Sequence, residues 1–247
     1  MKNLKILYIF SILGLILTSC DPSVEAPGTE NKSSLTYLPL ITLNGDSSIE
    51  LACDASSYTD PGAVATAGGQ EIELFTNISG AYYGSSTVDG PDVYSISYSA
   101  YNADGIPATG FRSVFWPPCN GDLVTSITGV YTADVVRNGS ISAQYQGLEP
   151  ILIKDLGNGV YQISDAIGGY YDFGRGYGPG YAATGMTITA NNIPANDFTH
   201  TDVVGVGDFG GLLKMTAFSV HPATHTITFT TDWDQGYVFE VTLTQVQ

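Results

Sequence analysis

Val93–Tyr101 alternates without a break. Tyr94, Ile96, Tyr98 and Ala100 fall on one side of the chain, and Ser95, Ser97 and Ser99 on the other. A period of two belongs to a strand with one dry face and one wet face. No window sustains an apolar period of 3.6, so little helix is expected. Turn signals recur between short apolar runs at Asn44-Gly45, Asp60-Pro61-Gly62, Asp104-Gly105, Asn158-Gly159 and Asp234-Gln235-Gly236. The chain has 29 glycines and 16 tyrosines in 247 residues, a composition that suits strands joined by tight turns. An all-β protein is predicted.

The N-terminus carries different information. Lys2 and Lys5 precede an apolar run, Ile6 to Leu17, and Leu17-Thr18-Ser19-Cys20 follows directly. A basic end, a segment too short to span a bilayer and small residues at the junction make a secretory signal. The cysteine at the junction makes it a bacterial lipoprotein signal, with residues 1–19 removed and Cys20 lipidated. Asp21 to Thr36 is polar and rich in Pro, Ser, Glu and Asn, which reads as a flexible tether over 20–36. No second apolar run reaches membrane-spanning length, so the acyl chains on Cys20 would be the only anchor. Outer-membrane localisation is expected, with the cell surface as the face presented. Asp21 and Glu25 loosely resemble the acidic surface-export signal of such lipoproteins.

The net charge is −16, and loss of Lys2 and Lys5 with the signal makes it −18. Such a field repels nucleic-acid phosphate and anionic membrane surfaces. Nucleic acid is therefore excluded as a partner.

Residues 37–118 read as a β-sandwich, from strand candidates at Leu38–Leu43, Ser48–Cys53, Ile72–Thr76, Val93–Tyr101 and Thr109–Phe115. The ordered set Ile41-Thr42-Leu43-Asn44-Gly45, Tyr58 to Ala65, Asp89 to Tyr98, Asn102-Ala103-Asp104-Gly105 and Arg112-Ser113-Val114 carries a family likeness. It resembles the immunoglobulin-like N-terminal domain of Bacteroidetes lipoproteins encoded beside SusC/SusD-type glycan-uptake systems. The resemblance implies a spacer-like module and a genomic neighbourhood beside SusC/SusD-like outer-membrane proteins, which together with glycan are the expected partners. It implies no reaction. In immunoglobulin-like sandwiches an early strand often runs beside the last one. Cys53, at the end of an early strand, and Cys119, just past the last, are therefore candidates for a disulfide in an oxidising periplasm. Two buried thiols are the alternative.

Pro117-Pro118-Cys119-Asn120-Gly121 is read as the boundary. Residues 119–247 read again as antiparallel β, a sandwich or partial barrel. Leu152–Lys154 with Val160–Ser164 and Thr226–Trp233 with Tyr237–Thr244 are its hairpins. On the latter pair, Ile227, Phe229, Thr231 and Trp233 share a face, as do Tyr237, Phe239, Val241 and Leu243. This half also looks like the C-terminal domain of those lipoproteins.

Gly168 to Tyr181 (GGYYDFGRGYGPGY) is the most unusual segment. Sugars are held by flat aromatic faces against C–H surfaces and by planar polar groups that bond paired hydroxyls. Tyr170, Tyr171, Asp172, Phe173, Arg175, Tyr177 and Tyr181 supply both kinds of group and form the candidate ligand set. The competing reading is a long loop whose tyrosines fold back over the sheet as core. Trp233 reads as core, and Trp116 as packing at the domain junction. His221 and His225 flank a turn, and no metal site is inferred. The aspartates Asp60, Asp89, Asp104, Asp155, Asp165, Asp208, Asp232 and Asp234 mostly read as turn caps. Gly205 to Gly211 (GVGDFGG) has a superficial dinucleotide look without a βαβ context, and phosphate-loop and Gly-x-Ser-x-Gly motifs are absent. No cofactor and no catalytic residue is assigned. The expectation is a non-enzymatic accessory lipoprotein, with a scaffold lacking sugar affinity as the alternative and a glycoside hydrolase behind both.

Overall fold

The computed structural model describes residues 35–201 and 203–247, apart from the side chains of Val203 and Val204. The lipoprotein signal, Cys20 and most of the tether lie outside the described residues. Leu38–Gln247 form one compact unit. Two small sheets begin it. The first contains β1 (Pro39–Leu43), β3 (Ala63–Ala67) and β4 (Gln70–Glu71); the second contains β2 (Ser48–Glu50), β5 (Leu74–Gly80), β6 (Asp92–Tyr101) and β7 (Pro107–Trp116). Their order is β1-β3-β4 and β2-β7-β6-β5.

The alternation read at 93–101 is that of β6, whose Tyr94, Ile96, Tyr98 and Ala100 are all buried. Tyr94, Ile96 and Tyr98 join Val114 and Trp116 in a core capped by Ile41 and Leu43 of the other sheet. Burying Ile96 and Val114 contributes about 1.5–3 kcal/mol each. Trp116 belongs to this core and not to a junction, because β7 continues through it and its position points inward like Val114. Between these sheets Arg112 is fully buried and paired with Asp60. Its Nη1 also donates to the Tyr98 hydroxyl (2.6 Å), its Nε to the Asp46 carbonyl (2.8 Å) and its Nη2 to the Asn44 carbonyl (2.7 Å). An unpaired guanidinium here would cost several kcal/mol. With these partners it pins the Asn44-Gly45 and Asp60-Pro61-Gly62 turns to the sheet. Asp60 is therefore an ion-pair partner as well as a turn residue.

β2 runs parallel to β7, with Ser48 opposite Ser113 and Glu50 opposite Phe115. That register carries the chain on to Cys53, which is bridged to Cys119 with a Cα–Cα distance of 4.8 Å. Both cysteines are exposed, so neither is a buried thiol.

The remainder is one nine-stranded antiparallel sheet. Its strands are β8 (Gly129–Arg137), β9 (Leu148–Gly157), β10 (Val160–Ile163), β11 (Thr187–Asn192), β12 (Asp197–His200), β13 (Val203–Val204), β14 (Leu212–His221), β15 (Thr226–Trp233) and β16 (Tyr237–Gln245). The order is β12-β11-β10-β9-β8-β16-β15-β14-β13. The two outermost strands are consecutive in the chain and separated by residues 201–202, so the sheet curls almost into a barrel. Closure buries inward residues of the successive strands in one cluster, among them Tyr131, Ile153, Tyr161, Ile188, Met215, Phe229 and Phe239. The β9–β10 turn is shorter than the sequence suggests. β9 extends to Gly157 (φ 86°), and Asn158 (φ 56°) and Gly159 (φ 75°) turn the chain. Positive φ at both turn residues is that of a hairpin turn whose twist matches the flanking strands.

The aromatic segment is not a flexible loop. Between β10 and β11 the chain runs into the barrel, and Ala166, Ile167, Tyr170, Ala183 and Met186 are at most 2% exposed. Gly168 (φ +65°) passes so close to the wall that an added Cβ would lie 2.7 Å from Val241 Cγ1 and 2.8 Å from Val135 Cγ2. Tyr170–Gly174 then forms one π-helical turn. Thr231 Oγ1 anchors the segment to β15 by donating to the Ala166 carbonyl (3.0 Å).

Candidate functional site

The turn at 170–174 is held from below by a buried carboxylate. Asp165 accepts from the N–H groups of Ile167 (3.0 Å), Gly169 (2.9 Å) and Ala183 (2.9 Å). Burial pushes its carboxyl up to about 6 against the opposing pull of those three N–H groups. Asp172 also lies buried and accepts from the Tyr82 hydroxyl at 2.7 Å. Burial raises the pKa of Asp172, and the Tyr82 hydrogen bond opposes the shift. Tyr82 itself is raised by burial and then by the Asp172 charge.

The candidate ligand set divides into two layers. Tyr170, Tyr171 and Asp172 are buried, because their turn fills the mouth of the barrel. Phe173 and Tyr181 are partly buried, and Arg175 and Tyr177 are exposed, Tyr177 by 51%. The competing core reading therefore describes the first layer and leaves the second open to solvent. Asp172 does not face a ligand: its bond to Tyr82 makes it a structural group.

Around Tyr171 the rings form a continuous surface. Phe209 (4.9 Å between centroids), Tyr177 (6.3 Å) and Trp233 (6.3 Å) surround it, and Tyr181 meets both Tyr177 (5.2 Å) and Phe209 (4.9 Å). Phe209 is 46% exposed and sits on the 3-10 turn Gly207–Phe209. The glycine-rich stretch with a dinucleotide look thus supplies the second wall of an aromatic mouth. Trp233 is core, as its strand face suggests, with Nε1 donating to the Gly210 carbonyl (3.1 Å).

On the other side of Tyr170 lies a cleft of about 390 Å³ lined by Arg137, Asn138, Ser140, Ser142, Gln144, Tyr145, Tyr170, Arg175 and Tyr237. Tyr145 stacks on Tyr170 at 3.9 Å with an interplanar angle of 17°. Gly174 permits this, since a Cβ there would lie 2.6 Å from Tyr145 Cδ1. Gln144 Nε2 fixes the approach by donating to the Gly174 carbonyl (2.7 Å). The Arg137 guanidinium lies 4.8 Å from the Tyr170 centroid and 4.7 Å from that of Tyr237. Arg175 lies 5.6 Å from Tyr145 and 6.0 Å from Tyr170. Among the described residues no carboxylate lines this cleft. A larger groove, about 480 Å³, runs over the outer face of the sheet past Asp134, Thr228 and Glu240. Its lining mixes threonines and Ser219 with Val136, Ala217 and Val241, and Asp134 is already engaged by the Gly147 N–H (2.8 Å). The smaller cleft has the aromatic and planar groups that recognise a ligand.

Phe209, Arg137, Tyr145 and Tyr237 escaped the reading of the sequence. They come from four separate elements, and none carries a local signal. Among the described residues no three His, Cys, Asp or Glu side chains are grouped to hold a metal ion, and His221 Nε2 lies 3.2 Å from Thr228 Oγ1. No described helix is long and apolar enough to cross a membrane.

With this geometry in place, comparison with known proteins narrows the lineage. Residues 120–245, about half of the chain, match a family model described as a C-terminal domain. The crystal structure of a lipoprotein from Bacteroides thetaiotaomicron is similar, with 28% sequence identity and a TM-score of 0.56. That match covers 84% of this chain and 100% of the other. No curated protein matches.

Proposed function

The chain belongs to the family defined by that C-terminal domain, and on that premise we propose that it is a lipid-anchored, non-enzymatic accessory protein of a glycan-uptake system. Its nine-stranded domain contacts glycan at the barrel mouth. The lipoprotein signal ending at Cys20 and the similarity to a Bacteroides lipoprotein support an anchored protein at the outer membrane, displayed on the cell surface. The N-terminal sandwich, with its immunoglobulin-like order of turns, serves as the spacer. A SusC/SusD-like transporter pair is the expected neighbour.

One observation carries the glycan reading: Tyr177 and Phe209 are about half exposed on a base of buried aromatics. Exposed rings on a rigid base offer apolar faces to sugar C–H surfaces at little entropic cost. The absence of carboxylates from the adjoining cleft and the commitment of Asp165 and Asp172 to hydrogen bonds favour binding over glycoside hydrolysis, which needs two carboxylates across a cleft. Calorimetry of the purified, detergent-solubilised protein against a polysaccharide panel tests it. Binding that falls about tenfold in Tyr177→Ala and in Phe209→Ala is expected. A panel without a single binder would sink the glycan reading.

A second reading has its own observation. Phe75, Tyr101 and Phe111 are 48%, 54% and 60% exposed on the β2-β7-β6-β5 sheet, a surface suited to a protein partner. Co-purification with a SusC/SusD-like pair, in a protein without sugar affinity, would favour a purely structural scaffold.

A further inference from the structure

The cleft beside Tyr170 gathers charge that the rest of the chain lacks. The described residues hold five Lys or Arg side chains: Arg112, Arg137, Lys154, Arg175 and Lys214. Arg112 is buried with Asp60, whereas Arg137 and Arg175 share one cleft and one aromatic ring, that of Tyr170. Among the described residues neither makes an ion pair. In a protein of net charge −16, two such arginines in a cleft lined by no described carboxylate form a local inversion of sign.

Ring contact explains how the arginines are held without explaining what they are for. A guanidinium over a ring is attracted to the ring face and keeps N–H donors for an anionic partner. The Tyr170 hydroxyl beside Arg175 holds that guanidinium above its ordinary pKa. Planar donor forks suit planar or tetrahedral anionic groups, which they bond in pairs with shorter and stronger bonds than neutral partners make. Ser140 adds a neutral hydroxyl of the kind that meets sugar hydroxyls, while Asn138 and Gln144 are held against the backbone of Gly236, Val238 and Gly174.

We propose that this cleft selects sugars bearing an anionic substituent, with Arg137 and Arg175 bonding the carboxylate or sulfate while Tyr237 flanks the sugar ring. The proposal rests on the glycan reading and narrows it to acidic glycans. Because the long-range field of the protein is negative, selectivity comes from these two forks at contact distance and not from steering.

Matched pairs of ligands test it on the detergent-solubilised protein: an oligogalacturonide against its methyl ester, and a sulfated galactan oligosaccharide against its desulfated form. At least one anionic member should bind ten-fold or more tightly than its neutral counterpart. That preference should disappear in Arg137→Gln/Arg175→Gln, while Arg137→Lys/Arg175→Lys keeps part of it. Melting curves identify any variant that fails to fold, and for such a variant the wild-type preference, with competition by free galacturonate or sulfate, decides. Equal binding within both pairs, or a preference that survives the glutamine variant, overturns the acidic-sugar assignment and leaves the glycan reading standing. No binding of any member, together with an empty neutral panel, overturns both.

Discussion

The Tyr82 hydroxyl donates to Asp172 Oδ2 at 2.7 Å, joining residues ninety positions apart. Tyr82 lies just past β5, and Asp172 lies in the turn that plugs the barrel. Around this bond Tyr82, Leu152 and Ala182 form a buried cluster with Val93, Phe115, Val130 and Phe173 packed against it. The Tyr83 hydroxyl adds a bond to the Leu152 carbonyl (3.1 Å), and Lys154 lies 3.8 Å over the Tyr83 ring. The aromatic mouth is thus braced from the sandwich side.

Tyr82→Phe keeps the packing and removes the donor. Asp172 then keeps its burial without the bond that opposes its upward shift. A loss of about 1–3 kcal/mol is expected in urea unfolding monitored by fluorescence. An unchanged midpoint would show that water replaces the hydroxyl.

Asp165 should give stability an inverted pH dependence. Its folded value of about 6 stands above the ordinary 3.8, so between those values the folded state binds more protons than the unfolded chain. Stability from this group is therefore full below about pH 4 and lost as pH rises through 6. The loss is about 3 kcal/mol at one pKa unit per 1.4 kcal/mol. Asp172 and Asp92, both raised by burial, act in the same direction. The comparison is the unfolding free energy of wild type and Asp165→Asn at pH 4, 5.5 and 7. The gap between the two proteins should change with pH by roughly that amount.

Gly168→Ala should destabilise the barrel by about 2–4 kcal/mol. The φ of +65° and the approach to Val135 and Val241 combine left-handed strain with overpacking. Thermal melting is the readout. Gly176→Ala, a control also at positive φ but with nothing within 4 Å of its Cβ, should cost only the strain.

Removing the Cys53–Cys119 bridge as a double serine variant should cost up to about 4 kcal/mol, since the bridge spans 66 positions and shortens the unfolded chain's freedom accordingly. Because both cysteines are exposed, dithiothreitol should reduce the native protein and lower its melting temperature to that of the double variant.

Much of the fold is legible in the sequence, for identifiable reasons. The faces of β6, β15 and β16 follow from period two, a property of the strand itself, and Asn158-Gly159 and Asp234-Gln235-Gly236 announce their turns by the backbone angles they tolerate. The strand expected at Ile72–Thr76 starts two residues later and ends four later, at Leu74–Gly80 with the short β4 before it, because apolar content alone does not set register. Tyr170 and Tyr171 were visible as unusual, but their depth was not. Ring burial depends on a chain segment entering a barrel whose closure is a property of nine strands together.

What the sequence determined by itself is local: the signal ending at Cys20, the all-β character, the turns and the wet and dry faces. These depend on neighbours within a few residues. The tertiary structure decided that Arg137, Tyr145, Arg175 and Tyr237 share a cleft, that Phe209 meets Tyr177 and Tyr181, and that Asp172 bonds Tyr82. Each of those pairings closes a long loop of chain. Only the summed burial of the curled sheet holds such loops closed, and no short window of residues encodes that sum.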